Sequence, residues 1–178
     1  MNYKTHVMGG VLLGLLTVSS ASNILNININ EDISVSVIYM SGAVVGSIFP
    51  DIDHNGSYIG RRVKPLSKLI NTAFGHRGAT HSPFLIVLFT SILYLLNKLI
   101  WLDSSFNILI AGLFIGMISH VLLDLITKEG VPLFYPLNKE KISLIGITTG
   151  GFVESIIGTF LTVAALYLIV RGQLPLTL

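Results

Sequence analysis

Long apolar stretches alternate with short polar segments along this chain of 178 residues. Five stretches approach the roughly 20 mainly apolar residues that an α-helix needs to cross a bilayer. They cover residues 5–22, 33–49, 83–102, 106–126 and 150–170. The first two are short for a full span and contain glycines, which suit close helix packing in lipid. The pattern therefore predicts an all-α, polytopic membrane protein with about five transmembrane helices.

The first apolar stretch follows a short basic start, as the apolar region of a signal peptide does. The residues after it, SSASN at 19–23, form a poor cleavage site, and the other stretches are equally apolar. We therefore expect this stretch to remain as the first helix. The sequence shows no internal repeat, so we predict one membrane-embedded domain over residues 1–178.

Composition supports a membrane protein and limits the chemistry of any site. Charged residues make up 11% of the chain and hydrophobic residues 52%, whereas soluble domains have about 25% charged residues. The chain has no cysteine, which excludes disulfides, thiolate ligands and a cysteine nucleophile. A metal ion would therefore be held by histidine nitrogens and carboxylate oxygens. The net charge of +2 does not indicate nucleic-acid binding, because the basic residues lie beside hydrophobic segments.

Basic residues are distributed unequally between the two sides of a five-helix topology. If the N-terminus is cytoplasmic, two of the 11 Lys and Arg residues, Lys98 and Arg171, lie outside and the other nine inside. Cytoplasmic loops of membrane proteins carry an excess of Lys and Arg. We therefore predict a cytoplasmic N-terminus, an outward-facing C-terminus, and two long polar loops in the cytoplasm.

The two long loops differ in character. The first contains GRRVKPLSKLINTAFG, residues 60–75, whose apolar positions recur near the helical period. This predicts a basic amphipathic helix on the membrane surface, the alternative being a solvated loop. The second, KEGVPLFYPLNKEKISLIGITTG at 128–150, has two prolines and several glycines, and predicts ordered, irregular backbone near the headgroups.

In this topology, the histidines and most of the acidic residues lie at the cytoplasmic ends of the predicted helices. Ionisable residues at membrane depth are costly and usually face a polar cavity or a partner. We therefore predict that these side chains converge in one polar site at the cytoplasmic face. They are His6, Asp51, Asp53, His54, His76, His81, His120, Asp124 and Glu154.

Two pairs within this set have spacings that suit a metal ion. His120 and Asp124 are four positions apart, so they share one helical face and could bind one ion; the alternative is a hydrogen bond between them. Pro50 disfavours helical backbone at the residue before it. Extended backbone would then point the carboxylates of Asp51 and Asp53 the same way, around a cation. Solvated acids at a helix end are the alternative.

The segment GHRGATHS carries His76 and His81, five positions apart, with glycines that would allow a turn to bring the two rings together. The Ser and Pro that follow His81 indicate the N-cap and first residue of the next helix. The free N–H groups at that helix start would suit a phosphate. Arg77 and Thr80 could add hydrogen bonds to the same anion, or could simply order the loop.

Three further residues have two interpretations each. His6 could be a ligand or an interfacial residue without a partner. Glu154 could act in the site or cap the last helix, where a carboxylate suits the helix dipole. His54 could bind a metal or donate a hydrogen bond to a ligand.

The motifs occur in the order found in a known family. An early His, then PDIDH, HRGATHS and SHVLLDLIT with later Gly and Pro, resemble the YdjM-like family of bacterial membrane-bound metal-dependent hydrolases. The resemblance extends from His6 to Glu154. The His-x-x-x-Asp pair is also similar, more loosely, to zinc-dependent phospholipase C, which is all-helical and uses several zinc ions.

The resemblance implies a metal-dependent hydrolase of the bacterial inner membrane, acting on a phosphoester of a lipid or another amphiphile. One or two divalent ions, zinc or manganese, would lower the pKa of a bound water and polarise the phosphoryl group. Arg77 would stabilise phosphoryl charge, and Glu154 or an unligated Asp would be the general base. The implied metal ligands are His6, Asp51, Asp53, His76, His81, His120 and Asp124.

Two other functions remain open from the sequence. The same cluster could be the ion or proton site of a transporter or channel, or a metal could serve folding alone. Transporter sites lie near the bilayer midplane on broken helices. Here the groups lie at one interface, which favours the enzyme.

Overall fold

The computed structural model describes residues 1–26, 29, 32–75, 77–100 and 103–172. These residues form six α-helices, and two 3₁₀ turns, Pro50–Asp53 and Ala79–His81. Five helical segments are long and apolar enough to cross a membrane: Tyr3–Leu25, Ile33–Asp53, Pro83–Ile100, Ser104–Leu125 and Phe152–Val170. The predicted all-α, five-span architecture is therefore confirmed. The helices are α1 (Tyr3–Leu25), α2 (Ile33–Ile48), α3 (Lys64–Phe74), α4 (Pro83–Ile100), α5 (Ser104–Leu125) and α6 (Phe152–Val170).

Helix α1 is longer than the sequence predicted. The side chain of Asn2 accepts a hydrogen bond from Thr5 N at 3.0 Å and caps the start. Asn26 adopts a left-handed conformation (φ 54°) that ends the helix. The serines near the C-terminal end of α1 do not interrupt the helix. The hydroxyl of Ser22, for example, donates to the carbonyl of Val18 in the preceding turn. With 23 residues, α1 is long enough for a full span, so the prediction of a short helix was wrong.

Helices α2 and α5 form the centre of the bundle, and α1 packs on both. Glycines make this close approach possible: a Cβ atom on Gly112 would overlap the carbonyl oxygen of Tyr39, and one on Gly116 that of Ala43. Gly42 and Gly46 on α2 face the backbone of α5 in the same way. The predicted packing role of the α2 glycines is confirmed. Helix α6 packs on α1, and α4 on α5.

The backbone at the end of α2 differs from the prediction. Phe49 is helical (φ −64°, ψ −40°), and Pro50–Asp53 form a 3₁₀ turn in which Pro50 occupies the first position. Proline is well tolerated at a helix start because its missing N–H would be unbonded there. Asp51 and Asp53 therefore do not leave an extended strand side by side, and the prediction of extended backbone was wrong.

The two long loops carry the predicted kinds of structure. Helix α3 is present, with Leu66 and Leu69 exposed, while Asn71 donates to the carbonyl of Asp53 at 2.7 Å. The second loop is irregular but hydrogen-bonded, since Val131 and Ile142 exchange both backbone bonds. Helix α4 begins at Pro83 as predicted.

Candidate metal centre

Four helix ends bring the predicted site residues together at one end of the bundle. His6 lies in the first turns of α1, Asp51 in the turn after α2, His81 just before α4, and His120 and Asp124 in the last turns of α5. The four residues other than Asp51 are fully buried. The side chain of Asp51 keeps 18% exposure. The cluster therefore has one carboxylate that reaches towards solvent.

Nε2 of His81 and Nε2 of His120 face a common point, and Oδ1 of Asp51 and Oδ2 of Asp124 each lie near both nitrogens. The two Nε2 atoms are 3.2 Å apart. Each lies 3.6 Å from the Asp124 oxygen. The Asp51 oxygen is 3.8 Å from His81 Nε2 and 3.7 Å from His120 Nε2.

These separations match the spacing of ligands around one metal ion. Bonds of about 2.0–2.2 Å to His nitrogen and carboxylate oxygen, at tetrahedral angles, place ligand atoms roughly 3.3–3.6 Å apart. The five measured separations run from 3.2 to 3.8 Å. Residues from three segments of the chain could thus hold a divalent ion with little rearrangement.

Hydrogen bonds at the far side of each ring fix the tautomers. His120 Nδ1 lies 2.6 Å from the carbonyl oxygen of Ser47, which can only accept, so Nδ1 carries the hydrogen. His81 Nδ1 lies 3.3 Å from Asp53 Oδ2. Both Nε2 atoms then point bare lone pairs at the common point. Two facing lone pairs repel unless a proton or a metal ion lies between them, and with Nδ1 protonated on both rings the donor set fits a metal ion.

Asp53 is placed behind His81 and not at the common point. Its Oδ2 accepts hydrogen bonds from the backbone N–H of Arg77 at 3.0 Å and from the hydroxyl of Thr80. The sequence predicted that Asp51 and Asp53 flank one cation; the 3₁₀ turn instead sends them to opposite sides of His81. Burial lowers the pKa of His81, although Asp53 opposes the shift, and a lowered pKa favours the neutral ring that a metal requires.

Arg77 reaches the other side of the centre. Its guanidinium lies 2.9 Å from Asp124 Oδ2 and donates to Thr127 Oγ1 at 2.8 Å, while Nε is 3.4 Å from the carboxylate of Glu129. The residue is buried and has a left-handed backbone (φ 52°). These contacts hold Asp124 in place, a role that the sequence did not predict.

His6 occupies a second position beside the four-atom cluster. Its ring stacks on that of His120, with centroids 3.7 Å apart and planes within 10°. Its Nε2 lies 3.4 Å from Asp124 Oδ1, an oxygen that also accepts a hydrogen bond from the Met1 nitrogen at 2.6 Å. Neither ring nitrogen of His6 has a hydrogen-bond partner among the residues that the structure describes. The geometry favours the site over the interfacial interpretation of His6.

Glu154 lies at the start of α6 and is fully buried. Its two oxygens accept hydrogen bonds from the backbone N–H groups of Asn2 and Gly150, each at 2.5 Å. The contacts therefore support the capping interpretation of this residue, which ties α6 to the start of α1. Within the described part of the chain, the hydrogen bonds of Glu154 go to the backbone of Asn2 and Gly150, so its role as a general base stays a prediction.

The remaining predicted residues lie at the edge of the centre or outside the residues that the structure describes. His54 is exposed, and His76 lies outside the described residues. Ser82 lies directly before α4 with extended backbone, and its carbonyl accepts a hydrogen bond from Ile86 N at 3.0 Å, as predicted for the residue at the helix start. Its hydroxyl donates to the carbonyl of Tyr135 at 2.9 Å. The carbonyl of Ser47, which orients His120, was missed, because a backbone oxygen leaves no signal in the sequence.

Two cavities border the centre. A polar pocket of about 300 Å³ is lined by Asp51 and Arg77, with His54, Tyr58 and Arg61 among its other walls. An apolar cavity of about 330 Å³ is lined by Ile52 and Thr80 and by side chains of α4 and α5. Neighbouring residues of one turn, at positions 51 and 52, thus line a polar and an apolar space.

Comparison with known proteins agrees with this architecture. The model of the YdjM inner membrane protein family matches residues 1–175. The chain belongs to that family. The resemblance predicted from the ordered motifs is therefore confirmed.

Individual relatives cover the chain to different extents. YvsG of Bacillus subtilis (strain 168) is 33% identical over 167 residues, which are 94% of this chain and 93% of YvsG. Inner membrane protein YdjM of Escherichia coli (strain K12) is 39% identical over 94 residues, 53% of this chain and 47% of YdjM. The match to YdjM of Shigella flexneri has the same extent and identity. No solved structure matches the chain.

Proposed function

We propose that this family member is a metal-dependent hydrolase that acts on a phosphoester at the cytoplasmic membrane interface. One observation carries the proposal: two histidine nitrogens lie 3.2 Å apart, and two carboxylate oxygens each lie within 3.8 Å of both nitrogens, beside a polar pocket. A site that only stabilised the fold would need no access, whereas the pocket reaches Asp51 of the cluster. The centre is therefore accessible to a substrate.

His81, His120, Asp51 and Asp124 would hold zinc or manganese, since His and carboxylate ligands suit both ions. The ion would lower the pKa of a bound water and polarise the phosphoryl group. Ser47 and Asp53 keep the two rings in the ligating tautomer.

The acid–base and charge roles are assigned from the contacts. Asp51 is the partly exposed acid of the cluster and lines the pocket, so we choose it over Glu154 as the base: Oδ1 would ligate the ion and the other carboxylate oxygen would accept a proton from water. The guanidinium of Arg77 is already bonded to Asp124 and Thr127. We therefore assign Arg77 chiefly to the positioning of Asp124, with the stabilisation of phosphoryl charge in the pocket as a second role.

The two cavities favour an amphiphilic substrate, such as a membrane lipid. The polar pocket would take the phosphorylated headgroup beside Asp51. The apolar cavity would take part of an acyl chain. It lies on the other side of the turn that carries Asp51 and Ile52, and Thr80, which contacts His81, also lines it. The polar pocket lies at the end of the bundle with the centre, and the apolar cavity extends from there along α4 as far as Ile92.

A structural metal is the second candidate, and the depth of the centre favours it. Four helix ends meet there, and all the ligand side chains except that of Asp51 are fully buried. An ion would then tie α2, α4 and α5 together without chemistry. The two functions differ in whether a bound metal leads to hydrolysis.

The test compares metal content, melting temperature and hydrolysis of a phospholipid and phosphoester panel in the same purified samples. His120→Ala and Asp124→Asn should each lose the metal and the activity, because each removes a ligand. Full metal occupancy in both variants would contradict the assignment. Bound metal in the wild type without hydrolysis of any substrate in the panel would favour the structural metal.

The matched control is Glu140→Gln, an exposed acid in the second loop whose side chain contacts Asn138. It should keep the metal and the activity. Glu129 would be an unsuitable control although it lies nearer in sequence, because its carboxylate is 3.4 Å from Arg77 Nε.

A further inference from the structure

His6 has the environment of a metal ligand but lies apart from the four-atom cluster. It is fully buried, and both ring nitrogens are without a hydrogen-bond partner among the described residues. A buried nitrogen without a hydrogen bond is costly and needs an explanation, even though Nε2 lies 3.4 Å from a carboxylate oxygen. Its Nε2 faces Oδ1 of Asp124, whereas His81 and His120 face Oδ2 of the same carboxylate.

From this arrangement we infer that the centre is dinuclear, with Asp124 bridging two divalent ions. The first ion is held by His81, His120, Asp51 and Asp124 Oδ2, and the second by His6 and Asp124 Oδ1. This inference rests on the proposed function and names the residues that would divide between the two ions.

The stacked rings set the distance between the ions. His6 and His120 are parallel, 3.7 Å apart, and their Nε2 atoms face the two oxygens of one carboxylate. Ions ligated in the two ring planes would therefore be separated by about the ring spacing. Paired ions in hydrolytic enzymes lie about 3.5–4 Å apart, where they stabilise the attacking and leaving oxygens together.

Asp51 borders both positions. Its carboxylate belongs to a group with His6 and His120 whose ligand atoms all lie within 4.8 Å of one another. The N-terminal ammonium is ion-paired with Asp124 Oδ1 at 2.6 Å, so an ion at the second position would displace its charge or bind it as a neutral amine. His and carboxylate donors on both sides suit the same class of ion, zinc or manganese.

The experiment measures metal per chain in purified full-length protein loaded with Mn²⁺ or with Zn²⁺ and freed of excess ion. The wild type should carry two ions, His6→Ala one, and the control Glu140→Gln, at the exposed acid of the second loop, two. The Mn²⁺-loaded wild type should show the electron paramagnetic resonance spectrum of a coupled pair, and His6→Ala the six-line spectrum of an isolated ion.

The outcomes separate this inference from the proposed function. One ion in the wild type with an uncoupled spectrum would overturn the dinuclear centre and leave the proposed hydrolase intact. Two ions in His6→Ala would overturn the assignment of His6. No ion in the loaded wild type would overturn both. The spectrum of the wild type decides the matter even if His6→Ala fails to fold.

Discussion

At the scale of single residues, the site depends on which atom of each side chain faces the centre. Asp51 and Asp53 are two positions apart, yet one points at the common point and the other holds the rear of His81. The two acids should therefore respond differently to the same substitution, because one is a ligand in our proposal and the other orients a ligand.

Asp53→Asn should lower metal affinity by about 10–100-fold, the usual cost of losing a partner that orients a ligating histidine. Asp51→Asn, its matched comparison, should lower affinity further because it removes a ligand. Metal titration of both variants by isothermal calorimetry measures the difference. Equal affinity in Asp53→Asn and the wild type would show that the hydrogen bond to His81 does not matter.

Residue types and helical periodicity predicted part of this site. His120 and Asp124 were assigned together because a helix places positions four apart on one face, whatever the rest of the fold. The roles of Asp51 and Asp53 could not be predicted in this way. They depend on whether the backbone after Pro50 is extended or turned, and a proline at a helix start permits the turn that formed.

At the scale of helices, the contact between α2 and α5 positions the centre. Gly116 lies one turn before His120, and a Cβ atom there would overlap Ala43 and approach Ser47 N at 2.7 Å. Ser47 is the residue whose carbonyl fixes the His120 tautomer. The close packing of α2 on α5 therefore also places the Ser47 carbonyl where it orients the His120 ring.

Gly116→Ala should lower the melting temperature and weaken metal binding together, since α5 must move away from α2. Overpacking of this kind costs about 1–3 kcal/mol. Gly158→Ala on α6 is the matched control, because its Cβ would meet Thr5 Oγ1 at an ordinary 3.4 Å. Thermal unfolding in detergent and metal analysis of both variants provide the check; an unchanged Gly116→Ala would argue against the close contact.

The glycines of α2 were identified from the sequence as packing residues, but their partners were not. Small residues indicate that a helix can approach another closely, while the identity of the neighbour depends on the order of the helices in the bundle. Glu154 illustrates the same limit. Its position at a helix start was evident, and its bond to Asn2 N, 152 positions away, was not.

At the scale of the whole molecule, the centre, the polar pocket and most basic residues lie at one end of a bundle with apolar sides. Leu99 on α4 and Phe160 on α6 are among the exposed large side chains of those helices. Such surfaces suit lipid contact, whereas the charged end suits the cytoplasmic headgroups. From the charge distribution we predict that this end is cytoplasmic.

Cysteine labelling tests this orientation, and the absence of native cysteine gives a clean background. Asn55→Cys and Asn138→Cys, in the two long loops, should react with a membrane-impermeant maleimide only after the inner side is exposed. Ser104→Cys, a conservative change at the exposed start of α5, should react from outside in intact cells. Because α5 runs from this serine to the metal ligands, the three positions must report opposite sides if α5 spans the membrane. Labelling of both loop positions from outside, with Ser104→Cys protected, would reverse the orientation and place the centre on the outer face.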